Sequence, residues 1–310
     1  MLLANAPLPG EFYALGAAIT WAIALVLFKQ SGESVKPLPL NLFKNTVGLV
    51  LLLMTIVATG EWLSMPRDYS ARQVGILIAS GVVGIAIADT LLFACLNRVG
   101  VQLNLVVDTL YTPFMLLFAW LLLGERLTPI QGVGVVLIIA GLLVASRTRP
   151  PIGRSRMQII SGILFGVGAM ATMAWSIALA KPTFESTPLA GAATIRLAAG
   201  TVALALFGSI LPDARAIWSV FKPSAIWRRS IPGSVVGVYL SMVFWIGGFK
   251  YTAMGAAAII NQSSMIFAII LSAIVLRERL TGRKLVALLL AASGVLTATL
   301  HEQIAHWVGY

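Results

Sequence analysis

Apolar residues fall into long continuous stretches, and polar and charged residues collect in the short segments between them. A helix needs about 20 apolar residues to cross the hydrocarbon core of a bilayer. Continuous runs such as 49–57 and 133–144 lack the alternation of barrel strands. The sequence therefore predicts an all-α integral membrane protein with ten spans, at residues 11–30, 40–60, 73–96, 102–123, 129–146, 158–180, 188–210, 230–250, 254–276 and 283–300.

The second half of the chain repeats the first at an offset of about 153 residues. Three matches carry the repeat: Trp21 to Leu25 recurs as Trp175 to Leu179, Lys44 and Gly48 recur as Arg196 and Gly200, and Glu125 to Thr128 recurs unchanged as Glu278 to Thr281. The matches divide the chain into two five-helix units, residues 11–146 and 158–300. Because five is odd, the second unit enters the membrane from the opposite side. The sequence thus predicts two inverted repeats, which is a transporter architecture.

Composition excludes several other classes of protein. Charged residues are 11% of the chain, hydrophobic residues are 59% and the mean hydropathy is +0.93, whereas a soluble domain has about 25% charged residues. The net charge of +11 does not indicate nucleic-acid binding, because the cations lie between apolar segments. A single cysteine, Cys95, cannot form an intrachain disulfide.

The distribution of cations predicts the orientation in the membrane. Loops on one face carry 15 of the 22 lysine and arginine residues, and loops on the other face carry five. Cytoplasmic loops are enriched in these residues, so we expect a multi-pass protein of a bacterial-type inner membrane with both termini outside.

The ten helices, the duplication and the repeated Glu-Arg-Leu-Thr turn resemble the drug/metabolite transporter superfamily, specifically its EamA-type exporters, over essentially the whole chain. The resemblance implies export of amino acids, including aromatic ones, or of other small metabolites and drugs. It also implies that the first four helices of each half line a central cavity. Four-helix multidrug relatives carry a glutamate within their first helix, whereas this chain has only Glu11 at the outer end. This departure argues against cationic-drug antiport by that mechanism.

Four ionisable residues lie well inside the predicted spans, where they are costly and mark functional candidates: Lys44, Asp89, Asp108 and Arg196. Lys44, Asp89 and Asp108 form either a structural charge cluster or a gate in which two carboxylates share one cation and couple transport to protons. Arg196 has no carboxylate within the spans of its own half. It can reach outward, bind backbone carbonyls or bind a substrate carboxylate.

Aromatic side chains form the next group of candidates for the substrate path, namely Trp21, Tyr111, Trp175, Tyr239 and Trp245. Asn261 and Gln262 add polarity, and the repeat places Asn261 at the position equivalent to Asp108. Such a cavity suits amphipathic, largely apolar solutes. Pro113 and Pro232 can kink their helices.

The leading hypothesis is a carrier that exports amino acids, aromatic or otherwise hydrophobic, by alternating access. An alternative is an intramembrane enzyme that acts on a lipid-linked substrate, for which Asp89 and Asp108 are the only acidic pair available. A passive channel or a partner subunit is a third option. We expect no cofactor, no metal site and no nucleic-acid partner. The expected partners are a small-molecule substrate and the bilayer, and a monomer is compatible with the sequence.

Overall fold

The computed structural model describes residues 10–32, 35–124, 128–146, 155–251, 261, 263–277 and 281–299. Within these ranges all regular secondary structure is helical, which confirms the predicted all-α class. The repeated Glu-Arg-Leu turn and Gln262 lie outside the described residues.

The helices of the first half are α1 (Gly10–Gly32), α2 (Pro37–Thr59), α3 (Glu61–Asp68), α4 (Ala71–Gly81), α5 (Ala88–Val99), α6 (Val101–Asp108), α7 (Tyr111–Leu123) and α8 (Pro129–Ser146). Those of the second half are α9 (Arg156–Ser186), α10 (Leu189–Ile210), α11 (Ala214–Trp218), α12 (Trp227–Ser234), α13 (Ser241–Tyr251), α14 (Ser264–Val275) and α15 (Gly282–Thr299). Two segments are π-helical. The first, Val82–Ile87, joins α4 to α5, and the second, Val235–Leu240, joins α12 to α13.

The described helices are those of a multi-pass membrane protein. Seven helical stretches within the described ranges are long and apolar enough to cross a bilayer: Phe12–Ser31, Pro37–Thr59, Ala71–Val99, Leu103–Leu122, Arg156–Phe184, Leu189–Ile210 and Trp227–Gly248. The other three predicted spans overlap α8, α14 and α15. Large apolar side chains such as Val57, Leu164 and Ile210 are exposed, as a lipid-facing surface requires.

Pro113 explains a break within the fourth predicted span. Proline lacks an N–H, and its ring clashes with the carbonyl four residues earlier, which here belongs to Thr109. The helix accordingly ends at Asp108 and restarts at Tyr111. The Leu110 amide donates to the Val107 carbonyl, three residues back, at 3.0 Å.

Several helix bounds recur at an offset of 153 residues. The first π-helical segment has counterparts at this offset at both ends, and α7 and α8 each have one at the start. The matching bounds are Val82 with Val235, Ile87 with Leu240, Tyr111 with Ser264, and Pro129 with Gly282. Breaks and irregular turns therefore fall at equivalent places in the two halves.

The halves pack against each other along most of their length. Helix α2 contacts α10 and α8 contacts α15, while α1 lies against α12 to α14 and α9 lies against α4 to α7. Gly48 of α2 contacts the Val238 side chain so closely that a Cβ at this glycine would overlap it. A Cβ at Gly200 of α10 would lie 2.7 Å from the Ile85 Cβ. Each close approach therefore joins one half's glycine to the other half's π-helical segment.

Tyr69 ties the start of α4 to the start of α10 outside the spans. Its hydroxyl donates to the Pro188 carbonyl at 2.6 Å. Burial raises the pKa of Tyr69 to about 12. Ser70 and Gln73 form a capping box that begins α4 beside this contact.

Candidate functional site

Lys44 and Asp89 form a buried ion pair between α2 and α5. The Lys44 Nζ lies 2.6 Å from the Asp89 Oδ2, and the two residues are 4% and 8% exposed. Lys44 also donates to the Asn45 Oδ1 at 3.0 Å and lies 5.4 Å from the centre of the Phe93 ring. The sequence predicted that these two ionisable residues belong to one cluster, and this contact joins them directly.

A pair of asparagines connects this ion pair to the first π-helical segment. The Asn45 Nδ2 donates to the Asn41 Oδ1 at 2.8 Å, and the Asn41 Nδ2 donates to the Ile85 carbonyl at 2.9 Å and to the Thr90 Oγ1 at 2.8 Å. Neither asparagine was a candidate from the sequence. The one sequence signal for them is their position on the same helix as Lys44, three residues before it and one residue after it.

Arg196 is buried where α10 meets α9 and the first π-helical segment. Its Nη2 donates to the Ser176 Oγ at 3.0 Å, and its Cζ lies 5.8 Å from the centre of the Phe184 ring. A Cβ at Gly84 would come within 2.5 Å of the Nη2, so this glycine makes room for the guanidinium. The Nε is buried without a hydrogen-bond partner.

The charges around Asp89 are unbalanced. Asp89 bonds to Lys44 and also interacts electrostatically with Arg196. The sequence suggested two carboxylates around one cation. In the structure Lys44 pairs with Asp89, while Asp108 bonds to Asn104. Lys44, Asp89 and Arg196 therefore carry one net positive charge inside the membrane.

Asp108 lies at the end of α6, where the helix breaks. Its Oδ2 accepts a hydrogen bond from the Asn104 Nδ2 at 3.2 Å, and its Oδ1 is buried without a hydrogen-bond partner. Asn261 precedes α14 at the equivalent position, and neither its Oδ1 nor its Nδ2 has a partner. An enzyme would need Asp89 and Asp108 as an acid pair, but the two have separate partners.

The aromatic candidates are all half-buried. Trp21, Tyr111, Tyr239 and Trp245 pack against the main apolar core. The Tyr239 hydroxyl lies 2.8 Å from the Thr55 Oγ1. Trp175 directly precedes the serine that receives the Arg196 hydrogen bond. Tyr111 interacts electrostatically with Arg196, and the role of the rings in the substrate path stays a prediction.

A cavity lies between the end of α1 and the start of α12. Gln30, Ser31, Arg228 and Arg229 contribute to its lining, together with Ala225 and Ile226. The residues predicted for the substrate path do not line it. This cavity is therefore distinct from the buried charge cluster.

Comparisons with known proteins give the family and the fold. The model of the EamA-like transporter family matches residues 8–147 and 160–300. An uncharacterized transporter from Methanothermobacter thermautotrophicus is 22% identical over 140 residues, which are 45% of this chain and 40% of that protein. The match thus spans less than half of that relative's length. A solved structure, described only as the crystal structure of a protein, has a TM-score of 0.65 at 20% identity. The similarity covers 95% of this chain and 98% of that one.

Proposed function

This chain belongs to the EamA-like transporter family, and from that premise we propose that it exports amino acids, aromatic or otherwise hydrophobic, and related small metabolites. It is a carrier that works by alternating access. The observation that carries the substrate assignment is the buried excess of positive charge around Asp89. A substrate that brings a carboxylate to this cluster neutralises that excess.

The architecture that supports alternating access is a pair of inverted five-helix repeats, residues 11–146 and 158–300, with ten spans in all. Two observations support this proposal. Helix bounds recur at one offset, and the contacts of Gly48 with Val238 and of Gly200 with Ile85 join equivalent positions in exchanged halves. Inverted repeats that pack reciprocally can exchange conformations, which opens a central site to one side and then to the other.

Arg196 is the proposed anchor for the substrate carboxylate. A guanidinium matches a carboxylate with two parallel hydrogen bonds, and the Arg196 Nε has a hydrogen to donate. The proposed lining of the site consists of Trp21, Tyr111, Trp175, Tyr239, Trp245, Asn261 and Gln262. Rings supply most of its area, and the amides orient the solute.

Lys44, Asp89 and Asp108 are the proposed gating and coupling residues. A substrate carboxylate near Arg196 competes with Asp89 for positive charge and changes the balance of the Lys44–Asp89 pair. Through Asn45 and Asn41 this pair is joined to the carbonyls of the first π-helical segment. We propose that loosening of this chain of hydrogen bonds accompanies the change between inward-facing and outward-facing states.

Substrate binding tests this assignment with a matched pair of ligands. L-phenylalanine and L-phenylalaninol share the ring and the ammonium group, and only phenylalanine has a carboxylate. Arg196→Lys keeps the charge but loses the planar fork. It should weaken phenylalanine binding to the purified protein at least about tenfold, which is about 1.4 kcal/mol, and leave phenylalaninol binding within about twofold.

Arg156→Lys is the matched control, because Arg156 is exposed at the start of α9. It should change neither affinity. Equal losses for both ligands in Arg196→Lys, with a lower unfolding temperature, would assign Arg196 to structure and remove it from the site. Absence of binding by every amino acid in a panel would refute the substrate class.

The proposed orientation in a bacterial-type inner membrane places both termini outside. Cys95 is the single cysteine of the chain and is fully buried, so a cysteine added at either terminus is the one accessible thiol. A membrane-impermeant maleimide should label this thiol in intact spheroplasts. Labelling that requires permeabilised membranes would reverse the topology.

A further inference from the structure

Two acceptor oxygens lie unpaired, one helical turn apart, at the end of α6. Asn104 is fully buried, and its Nδ2 donates to the Asp108 Oδ2 at 3.2 Å. The Asn104 Oδ1 and the Asp108 Oδ1 are both buried without a hydrogen-bond partner. A buried acceptor without a partner is costly in free energy, and an ionised one is more costly still. These two oxygens together therefore point to a ligand that both of them bind.

The chemistry of that ligand follows from the donor set. Carbonyl and carboxylate oxygens accept hydrogen bonds and bind cations, so an anion does not fit. The carboxyl end of a helix carries partial negative charge, and α6 ends at Asp108 because Pro113 prevents its continuation. Broken helices that present such ends within a membrane commonly coordinate small cations.

The surroundings of Asp108 leave its charge uncompensated among the described contacts. The ion pairs Lys36–Asp213 and Lys44–Asp89 do not include it. Cys95 of α5 interacts electrostatically with Asp108. In the second half the equivalent residue is Asn261, so only the first half places a carboxylate at this break.

We propose that Asn104 and Asp108 form a binding site for a small monovalent cationic group. This chemistry has two sources, an alkali metal ion that couples to transport or the ammonium group of the substrate. The proposal rests on the proposed function in that a carrier uses the bound charge. The binding itself is measured without transport.

Thermal unfolding of the purified full-length protein tests the site. NaCl, KCl or methylammonium chloride replaces choline chloride at fixed pH and ionic strength. Choline is bulkier than the three other cations and has no N–H donor. At least one small cation should raise the unfolding temperature saturably. Asp108→Asn should weaken its apparent affinity at least about tenfold.

Two further variants separate the site from general effects on folding. Asn104→Ala removes one ligand oxygen while it keeps the carboxylate, so it should also weaken the response if Asp108→Asn does not fold. Asp213→Asn removes an exposed carboxylate far from the proposed machinery and should keep the full cation response. An unchanged response in both Asp108→Asn and Asn104→Ala would overturn the proposal.

The identity of the active cation distinguishes the two sources. A saturable rise of the unfolding temperature with Na⁺ or K⁺ indicates a coupling ion. A saturable rise with methylammonium alone indicates the ammonium group of the substrate. No response to any of the three, or a response to pH alone, would overturn the site. Amino-acid exchange that persists without cation binding would leave the proposed function intact, and cation binding without exchange would leave only the site.

Discussion

Neutralising Asp89 should destabilise the protein more than neutralising Lys44, although the two form one ion pair. Asp89→Asn leaves Lys44 buried without the carboxylate that it bonds, and it also removes the negative charge that interacts electrostatically with Arg196. Lys44→Met keeps most of the length of the side chain and leaves Asp89 in electrostatic interaction with Arg196. The difference in the free energy of unfolding between the two variants thus measures the contribution of Arg196.

The expected magnitudes follow from burial. Removal of one partner from a buried ion pair costs about 3–5 kcal/mol, because an uncompensated charge stays behind. Asp89→Asn should show this full cost. Lys44→Met should cost at least about 1 kcal/mol less, because Arg196 still compensates the carboxylate. At about 2–4 °C per kcal/mol, Asp89→Asn should lower the unfolding midpoint by roughly 10 °C.

The intrinsic fluorescence of the eight tryptophans reports this unfolding in detergent. The matched control is Asp213→Asn, which breaks the Lys36–Asp213 pair, whose side chains are 79% and 66% exposed. An exposed pair contributes about 0–1 kcal/mol, so the midpoint should change by no more than a few degrees. A Lys44→Met variant that loses as much as Asp89→Asn would refute the shared-carboxylate cluster.

Four other substitutions, one of them with a matched control, test separate parts of the account. Trp21→Ala and Trp175→Ala should each reduce transport of aromatic substrates more than the yield of folded protein, since ring contacts contribute about 1 kcal/mol beyond their area; equal reductions would indicate packing alone. Gly200→Val should lower the free energy of unfolding by about 1–3 kcal/mol through overpacking. Gly75→Val should not, because Gly75 has open space around it. Similar losses of stability in both variants would contradict the close approach at Gly200. Burial raises the pKa of Tyr69 to about 12, above its ordinary value near 10, so the stabilisation by the neutral phenol is complete below pH 10 and is lost as the pH rises from 10 to 12. Tyr69→Phe should therefore reduce the fall of the unfolding midpoint with pH in that range. A fall of the midpoint with pH that is the same in Tyr69→Phe would contradict the assignment.

The length of the apolar runs and the internal repeat were enough to predict most of the helices. The predicted spans coincide with or overlap described helices because continuous apolar runs leave few alternatives to a buried or lipid-facing helix. Of the two prolines that can kink their helices, Pro113 follows a break at Thr109 and Leu110, whereas Pro232 lies inside the helix Trp227–Ser234. The two π-helical segments were not predicted, because they depend on close packing against the other half.

The sequence identified the charged residues of the candidate site but not the contacts between them. Intramembrane charge singled out Lys44, Asp89 and Arg196 because such groups are costly in lipid. Their pairing depends on how α2, α5 and α10 pack, which the spacing along one helix does not contain. Asn41 is neutral and common in loops, so only the fold revealed its contact with the Ile85 carbonyl.

Counterflow in liposomes tests the carrier most directly. Vesicles that contain the purified protein are loaded with unlabelled L-phenylalanine, and the uptake of labelled L-phenylalanine from outside is followed over time. A carrier that alternates between two states predicts saturable uptake that rises with the internal load and then decays. Uptake that grows linearly with concentration and ignores the internal load would contradict alternating access, and chemical conversion of the label without exchange would contradict transport itself.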